Sequence, residues 1–327
     1  MIHPFKHHQM ERTMSMRIHK DPLIQNILPK QRPPKDWHQR ALYLGESGYN
    51  AWRTLFNVGQ TLSTQAQHLP LHFDALKQAS LCSSAPVLVS LGSGTGDTDK
   101  IVVETLRTIH DVVTYIPVDL NLEFLLHATE VLSLDANIPF AVQTDFEANL
   151  FLRDVLRTSS LNHPILFGLL GITFGNFDLL ESNFIKTIAA TMHSGDFLMF
   201  DVAIGDGSSA AQNPMYQNNA VIAAFNSFLV AGIARQTSMT IDKVLENLSG
   251  IHFVVGESDV EGTVVTEIRY GGRKIQPFSV LRYCEYSSED IVEWINRIEE
   301  FELVGNKLFE QPKEENCYFA VALLRRR

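Results

Sequence analysis

Between residues 86 and 204 short β-branched runs alternate with amphipathic stretches, and this alternation limits the possible folds more than any other feature of the chain. The apolar runs are VLVSL (87–91), VVTYIPVD (112–119), PFAVQTD (139–145), PILFGLLG (164–171) and FLMFDVAI (197–204). Between them DTDKIVVETLRTIH, LEFLLHATEVL and LLESNFIKTIAATM repeat apolar residues every three or four positions, the spacing of a helix with one buried face. Strands alternating with helices predict a doubly wound α/β unit around a parallel sheet. Near the C-terminus, SSEDIVEWINRIEE carries a helix-start signal at Ser287 and Glu289, and ELVGNKLF and CYFAVALL read as two closing strands.

Two regions fall outside the alternation. Residues 1–80 contain the Pro-rich LPKQRPPKDW, and residues 205–275 contain the helical AVIAAFNSFLVAGIA and the strand-like GTVVTEIRY. The expected organisation is a sheet domain from residues 81–204 and 276–327, and a cap-like second domain from residues 21–80 and 205–275. Residues 1–20, His- and Met-rich without apolar periodicity, read as a disordered lead-in. Open α/β sheets bind ligands beyond the carboxyl ends of their strands, so a cap there supplies the opposite wall of a crevice.

Composition narrows the ligand. A chain of 327 residues, 45% hydrophobic, can bury a large core, while a formal net charge of −10 argues against a nucleic-acid partner. Three widely spaced cysteines imply neither a disulfide framework nor a metal site. No apolar run approaches the ~18 residues that would cross a bilayer. The expectation is a cytoplasmic enzyme or binder of a small molecule, with no metal, nucleic-acid or membrane partner.

LGSGTGDTDK follows the first strand and opens a helix, where a nucleotide-binding loop belongs. Gly92, Gly94 and Gly96, with Ser93 between the first two, form GxGxG, but Asp97 stands where a dinucleotide fingerprint needs a third glycine. A carboxylate there repels a pyrophosphate. S-adenosylmethionine has no phosphate and needs glycines only for close backbone approach. Asp119 ends the second strand, where a carboxylate can accept both ribose hydroxyls. Asp145 ends the third and is followed by Phe146, an acceptor for an adenine amine beside an apolar ring. Taken singly, these residues also suit a tight turn and strand-capping acids. Three successive strand ends of this kind form a pattern, and the HSGD turn at 193–196 is added to it.

With these residues assembled, the chain resembles the histidine-specific methyltransferase family of ergothioneine biosynthesis, which methylates the α-amino group of an amino acid. The motifs that carry the resemblance are LGSGT (91–95), PVD (117–119), DF (145–146) and GITFGN (171–176). Tyr216 followed by Ala224-Phe225-Asn226, and Thr266-Glu267-Ile268, extend it into the region after residue 205. The resemblance implies a Rossmann-like class I methyltransferase sheet, mostly parallel with an antiparallel closing strand, under a cap-like second domain. It also implies S-adenosylmethionine as cofactor. Asn176 and Tyr216 would hold the carboxylate and amine of a free amino acid, Tyr43 or Tyr216 would help orient that amine, and Glu267 would contact the side chain.

Tyr43 stands in ALYLGESG where the family has Tyr followed by Asp; here Leu44 replaces the Asp. A second departure is Arg269, in place of a small hydroxyl residue that helps bind imidazole. Residues two apart on a strand share a face, so Arg269 either selects a substrate other than histidine or pairs with Glu267 to brace the cap. Two other functions stay open: methylation of an amine or hydroxyl on a natural-product intermediate, and a catalytically inactive S-adenosylmethionine-binding protein.

Overall fold

Every apolar run between residues 86 and 204 becomes a buried strand. The computed structural model describes residues 16–24, 39–60, 76, 86–148, 150–171, 173–176, 180–205, 219–237, 239–246, 251–272, 275–310 and 318–327. In chain order the first elements are β1 (Arg17–Lys20), a 3-10 turn (Gln39–Tyr43), α1 (Gly45–Gln60), β2 (Val87–Leu91), α2 (Asp97–Arg107), β3 (Thr114–Asp119) and α3 (Leu122–Leu132). Then come β4 (Phe140–Gln143), α4 (Leu150–Thr158), β5 (Ile165–Leu169), α5 (Glu181–Ala189), β6 (Phe197–Ile204), α6 (Asn219–Thr237) and α7 (Ile241–Glu246). The last are β7 (Ile251–Val255), β8 (Val264–Gly272), β9 (Ile275–Glu285), α8 (Ser288–Asn296), β10 (Phe301–Leu303), β11 (Phe309–Glu310) and β12 (Tyr318–Arg326).

The main sheet runs β1-β4-β3-β2-β5-β6-β12-β10, with β11 paired to β12. It is parallel from β1 to β6, and β12 closes it antiparallel to β6. Both faces are covered, which is why the strands read as continuous apolar runs rather than alternating ones. Successive residues point to opposite faces. Thus Leu88, Tyr115 and Met199 pack with Val102 and Leu106 of α2 and Leu132 of α3. On the other face Val89, Ile116 and Phe200 pack with Leu152 of α4, Phe184 of α5 and Trp294 of α8. No described helix is long and apolar enough to cross a membrane.

Several local expectations change. Residues 17–20, assigned to a disordered lead-in, form an edge strand on β4, from Arg17 opposite Phe140 to Lys20 opposite Gln143. Apolar periodicity is absent because the order comes from the neighbour: the Asp21 amide donates to Gln143 O at 2.9 Å, and its carboxylate accepts the Thr144 hydroxyl at 2.7 Å. The helix α4 was not among the expected elements. ELVGNKLF is not one strand, because Gly305 (φ 74°) and Asn306 (φ 54°) turn left-handed and split it into β10 and β11. Ser287 does cap α8, but its partner is Asp290 rather than Glu289: its hydroxyl accepts the Asp290 amide at 3.1 Å and donates to the Asp290 carboxylate at 2.7 Å.

The insertion builds a second, antiparallel sheet in the order β7-β8-β9. Leu42, Leu55 of α1, Phe228 and Ile233 of α6, Ile268 of β8 and Val280 of β9 form one apolar cluster on it. Because β9 continues to Glu285, the chain rejoins the main sheet at Tyr286, later than the expected residue 276. There the Tyr286 amide donates to Ala203 O at 2.9 Å and its carbonyl accepts the Gly205 amide at 3.0 Å.

Candidate active site

The strand order reverses around β2, which has β3 on one side and β5 on the other. The carboxyl ends of these strands therefore flank a topological switch point, the place where open α/β sheets take ligands. The glycine loop leaves β2 there. Gly94 sits at φ +52°, and a side chain on it would meet only Gly92 O, at 4.0 Å, so the backbone is open to an approaching ligand. Gly92 packs on Phe146: an added Cβ would lie 3.2 Å from that ring. Asp97 lies in the first turn of α2 and accepts the Thr95 hydroxyl at 2.7 Å. Its carboxylate complements the positive end of the helix where a phosphate would otherwise sit.

Asp119, at the end of β3, is buried and reaches back to this loop. One carboxylate oxygen accepts the Gly94 amide at 3.0 Å and the other accepts the Asn121 amide at 2.8 Å. Burial pushes its pKa up to about 6, against the pull of these amides. With the Leu120 amide as a third donor, about three of its roughly four lone-pair sites are taken, which leaves capacity for a ligand hydroxyl. Beneath the loop, Asp99 accepts the Tyr115 hydroxyl at 2.5 Å, and burial raises its pKa to about 7. Sequence reasoning missed it, since only the helical phase of α2 turns Asp99 inward.

Past β4, Asp145 accepts the Glu147 amide at 3.0 Å, and Arg40 reaches Asp145 at 3.0 Å and Glu147 at 3.5 Å. Arg40 lies in the 3-10 turn, 105 residues before Asp145 (145 − 40), and nothing in its local sequence marks the pairing. The same turn lies over β3, because the Asn121 side-chain amide donates to Tyr43 O at 2.6 Å and Gly45 O at 3.2 Å. The Tyr43 ring packs on Trp52 and Phe228, at centroid distances of 5.3 and 5.2 Å. Burial, with Asp119 nearby, holds its phenol well above the usual range, so it can donate a hydrogen bond but not serve as a base.

Beyond β5 the chain kinks twice. Gly171 (φ 81°) donates its amide to Asp201 at 3.0 Å, and Gly175 (φ 81°) turns the backbone immediately before Asn176. The Asn176 amide closes the turn on Thr173 O at 2.9 Å. Asn176 thus follows the carboxyl end of β5, the neighbour of β2 in the sheet. In the second sheet, Glu267 of β8 pairs with Arg282 of β9 in the antiparallel ladder, and the Arg282 guanidinium reaches Glu181, at the start of α5, at 3.1 Å. Directly opposed residues share a face, so Glu267 faces the β5 end. Arg269 folds onto it: Nε and Nη2 both donate to Glu267 Oε2, at 2.9 and 2.8 Å.

Three sequence expectations fare differently. Tyr216 lies outside the described residues. In the AFN triplet of α6, Ala224 and Phe225 pack in the second apolar cluster and Asn226 is exposed. The HSGD turn is not part of the site: Asp196 accepts the amides of Ile165 and His193, both at 2.8 Å, at the amino ends of β5 and β6. It fastens the opposite edge of the sheet from the glycine loop.

Residues 32–244 match the family described as "Histidine-specific methyltransferase, SAM-dependent". The chain belongs to this family. Among curated relatives it is similar to the histidine N-alpha-methyltransferase of Mycolicibacterium smegmatis, 26% identical over 231 residues, which covers 65% of this chain and 64% of the relative. It is also similar to the histidine N-alpha-methyltransferase of Mycobacterium tuberculosis, 25% identical over 217 residues with the same coverage, 65% and 64%. The matched region thus spans 64% of the length of these relatives. Among solved structures, an S-adenosylmethionine-dependent methyltransferase from Clostridium acetobutylicum superposes with a TM-score of 0.45 at 12% identity, covering 85% of this chain and 98% of that one.

The histidine-specific methyltransferase family depends on S-adenosylmethionine, and the residues of this member fit it. Gly94 leaves room that a Cβ would fill, and Asp119, tied to the loop through the Gly94 amide, keeps acceptor capacity for a ribose hydroxyl. Phe146 lies against Gly92, where it can cover one face of an adenine.

Proposed function

We propose that this protein transfers a methyl group from S-adenosylmethionine to the amino group of a free amino acid. The observation that supports this reading is the Gly175–Asn176 turn: it follows the carboxyl end of β5, next to the strand that carries the glycine loop, and its Gly175 carbonyl accepts the thiol of Cys284 on β9, the strand paired with Glu267. Gly92, Ser93, Gly94, Gly96, Asp119, Asp145 and Phe146 would hold the cofactor, which when bound supplies an activated methyl group on a sulfonium centre. The protein's remaining work is alignment, because a neutral leaving thioether needs no acid assistance.

Asn176 accepts a hydrogen bond from the substrate amine through its side-chain carbonyl, directing the lone pair towards the cofactor side of the crevice. Its amide nitrogen donates to the substrate carboxylate. Tyr43 and Tyr216 are hydrogen-bond partners of the amine, and Glu267 meets the side chain. The amine must arrive or become neutral, since only the unprotonated amine has a lone pair to attack the methyl group. Glu267 shares its charge with Arg269, so the pair is net neutral towards a ligand. That favours a neutral or hydrogen-bond-accepting side chain over a protonated imidazole, and supports an amino acid other than histidine as the better substrate.

The test is a screen of free amino acids with labelled S-adenosylmethionine, read by product mass, on the wild type and on Asn176→Ala. The expected result is transfer to one or a few amino acids, with turnover of Asn176→Ala lower by roughly 10³-fold or more and S-adenosylhomocysteine affinity unchanged. Unchanged turnover in the variant would sink the proposal.

A further inference from the structure

Against the Asn176 turn lies a buried polar cluster to which the proposed methyl transfer assigns no contact with substrate or cofactor. Arg282, Cys284 and Tyr286 occupy every second position at the end of β9 and just beyond it, so they form one stripe on one face. All three are buried. Tyr286 is where the second sheet ends and the chain is stitched to β6, by the two backbone bonds to Ala203 and Gly205. Its side chain reaches further. The hydroxyl donates to Glu181 Oε1 at 2.9 Å, and Arg282 donates to the same oxygen at 3.1 Å. Glu181 is fully buried and opens α5.

The stripe also presses on the turn that presents Asn176. The Cys284 thiol donates to Gly175 O at 3.2 Å. A Cβ added to Gly175 would land on the Tyr286 hydroxyl and 2.8 Å from Cys284 Cβ. Gly175 is therefore needed twice over, for its left-handed backbone and for the contact with Tyr286. The Glu181 carboxyl also lies beside Asp259, which accepts the Ser182 amide at 3.0 Å. Burial raises the pKa of Glu181, with Arg282 pulling against it, and its Oε1 accepts from both Tyr286 and Arg282.

We propose that Tyr286 and Glu181 are positioning residues for methyl transfer. Through the Gly175 contact and the α5 start they set the angle at which Asn176 is presented, and through Arg282 they register the second sheet against it. This rests on the proposed role of Asn176. Neither residue touches the substrate. A misplacement of ~1 Å at such a distance can cost ~10²-fold in rate.

The test uses the full chain. Tyr286→Phe keeps the ring and removes the hydroxyl, with its bond to Glu181 and its close approach to Gly175. The expected result is a fall in kcat/KM for the amino acid of about tenfold to a hundredfold, with S-adenosylhomocysteine affinity within about twofold of wild type by calorimetry. Glu181→Ala is expected to behave likewise, and Glu181→Gln to restore activity, because its side-chain carbonyl still accepts from Tyr286 and Arg282. An independent readout is the side-chain amide resonance of Asn176, assigned by its loss in Asn176→Ala. It is expected to shift in Tyr286→Phe and to return towards the wild-type position in Glu181→Gln. An unmoved resonance, or an equal loss of S-adenosylhomocysteine affinity, overturns the proposal. If the wild type methylates no amine, the catalytic reading fails while the resonance still decides the positioning role.

Discussion

At the residue scale, the buried acids under the glycine loop set how stability varies with pH. Asp119 and Asp99 are pushed up to about 6 and about 7 by burial, so the folded protein holds their protons more tightly than the unfolded chain does. Their contribution is complete below the unfolded pKa of about 4 and is lost as pH rises through those two values. Thermal melts are expected to show Tm falling by about 5 °C between about pH 5 and pH 8. Asp99→Asn keeps an acceptor for the Tyr115 hydroxyl and removes the charge, so it should flatten most of that slope. A variant that melts with the wild-type pH dependence would show that Asp99 titrates normally. Ligand contact and fold support meet here in adjacent shells: Asp119 keeps acceptor capacity for a ligand, whereas Asp99 is enclosed with Tyr115.

At the scale of elements, the sequence was most legible where an element is stabilised by its own pattern. The runs 87–91 and 197–204 and the helix 122–132 have their expected limits, because continuous burial or a clear 3.6-residue period marks them along their whole length. Legibility failed where order is borrowed. β1 exists because β4 has a free edge and Asp21 locks it, and Arg40 meets Asp145 only through the tertiary fold. The glycine loop and the strand-end acids were readable as strand-end positions, because the apolar runs before them mark where each strand stops. The Arg282–Cys284–Tyr286 stripe was not, because its partners Glu181 and Gly175 are more than 100 residues away. β1 gives a test of borrowed order. Asp21→Ala removes the acceptor of the Thr144 hydroxyl, one residue before Asp145, and of the Leu23 amide. Calorimetry is expected to show S-adenosylhomocysteine binding weakened about threefold to tenfold. Unchanged affinity would mean that β1 only decorates the edge.

At the scale of the molecule, two sheets meet at one seam, and the seam divides the labour of the proposed reaction. The main sheet carries the glycine loop and the Asn176 turn, and the second sheet, which carries Glu267 and Arg269, is joined to that turn through Arg282 and Cys284 of β9. Substrate choice then depends on the charge that the second sheet shows across the gap. Glu267 alone would attract a protonated imidazole. With Arg269 bound through Nε and Nη2 to one carboxylate oxygen, that attraction is cancelled, and the Nη1 side of the guanidinium remains as a donor for an acceptor on the substrate. Arg269 is half exposed, so the pair contributes little to stability and can be altered without unfolding the chain. Arg269→Ser would release the carboxylate. The ratio of kcat/KM for histidine to that for glutamine, measured at about pH 6 where imidazole is largely protonated, is expected to rise about tenfold or more. Glu267→Gln should move the same ratio in the opposite direction by leaving the guanidinium uncompensated. If neither variant moves it, the substrate side chain does not meet this pair, and specificity must be set by another wall of the crevice.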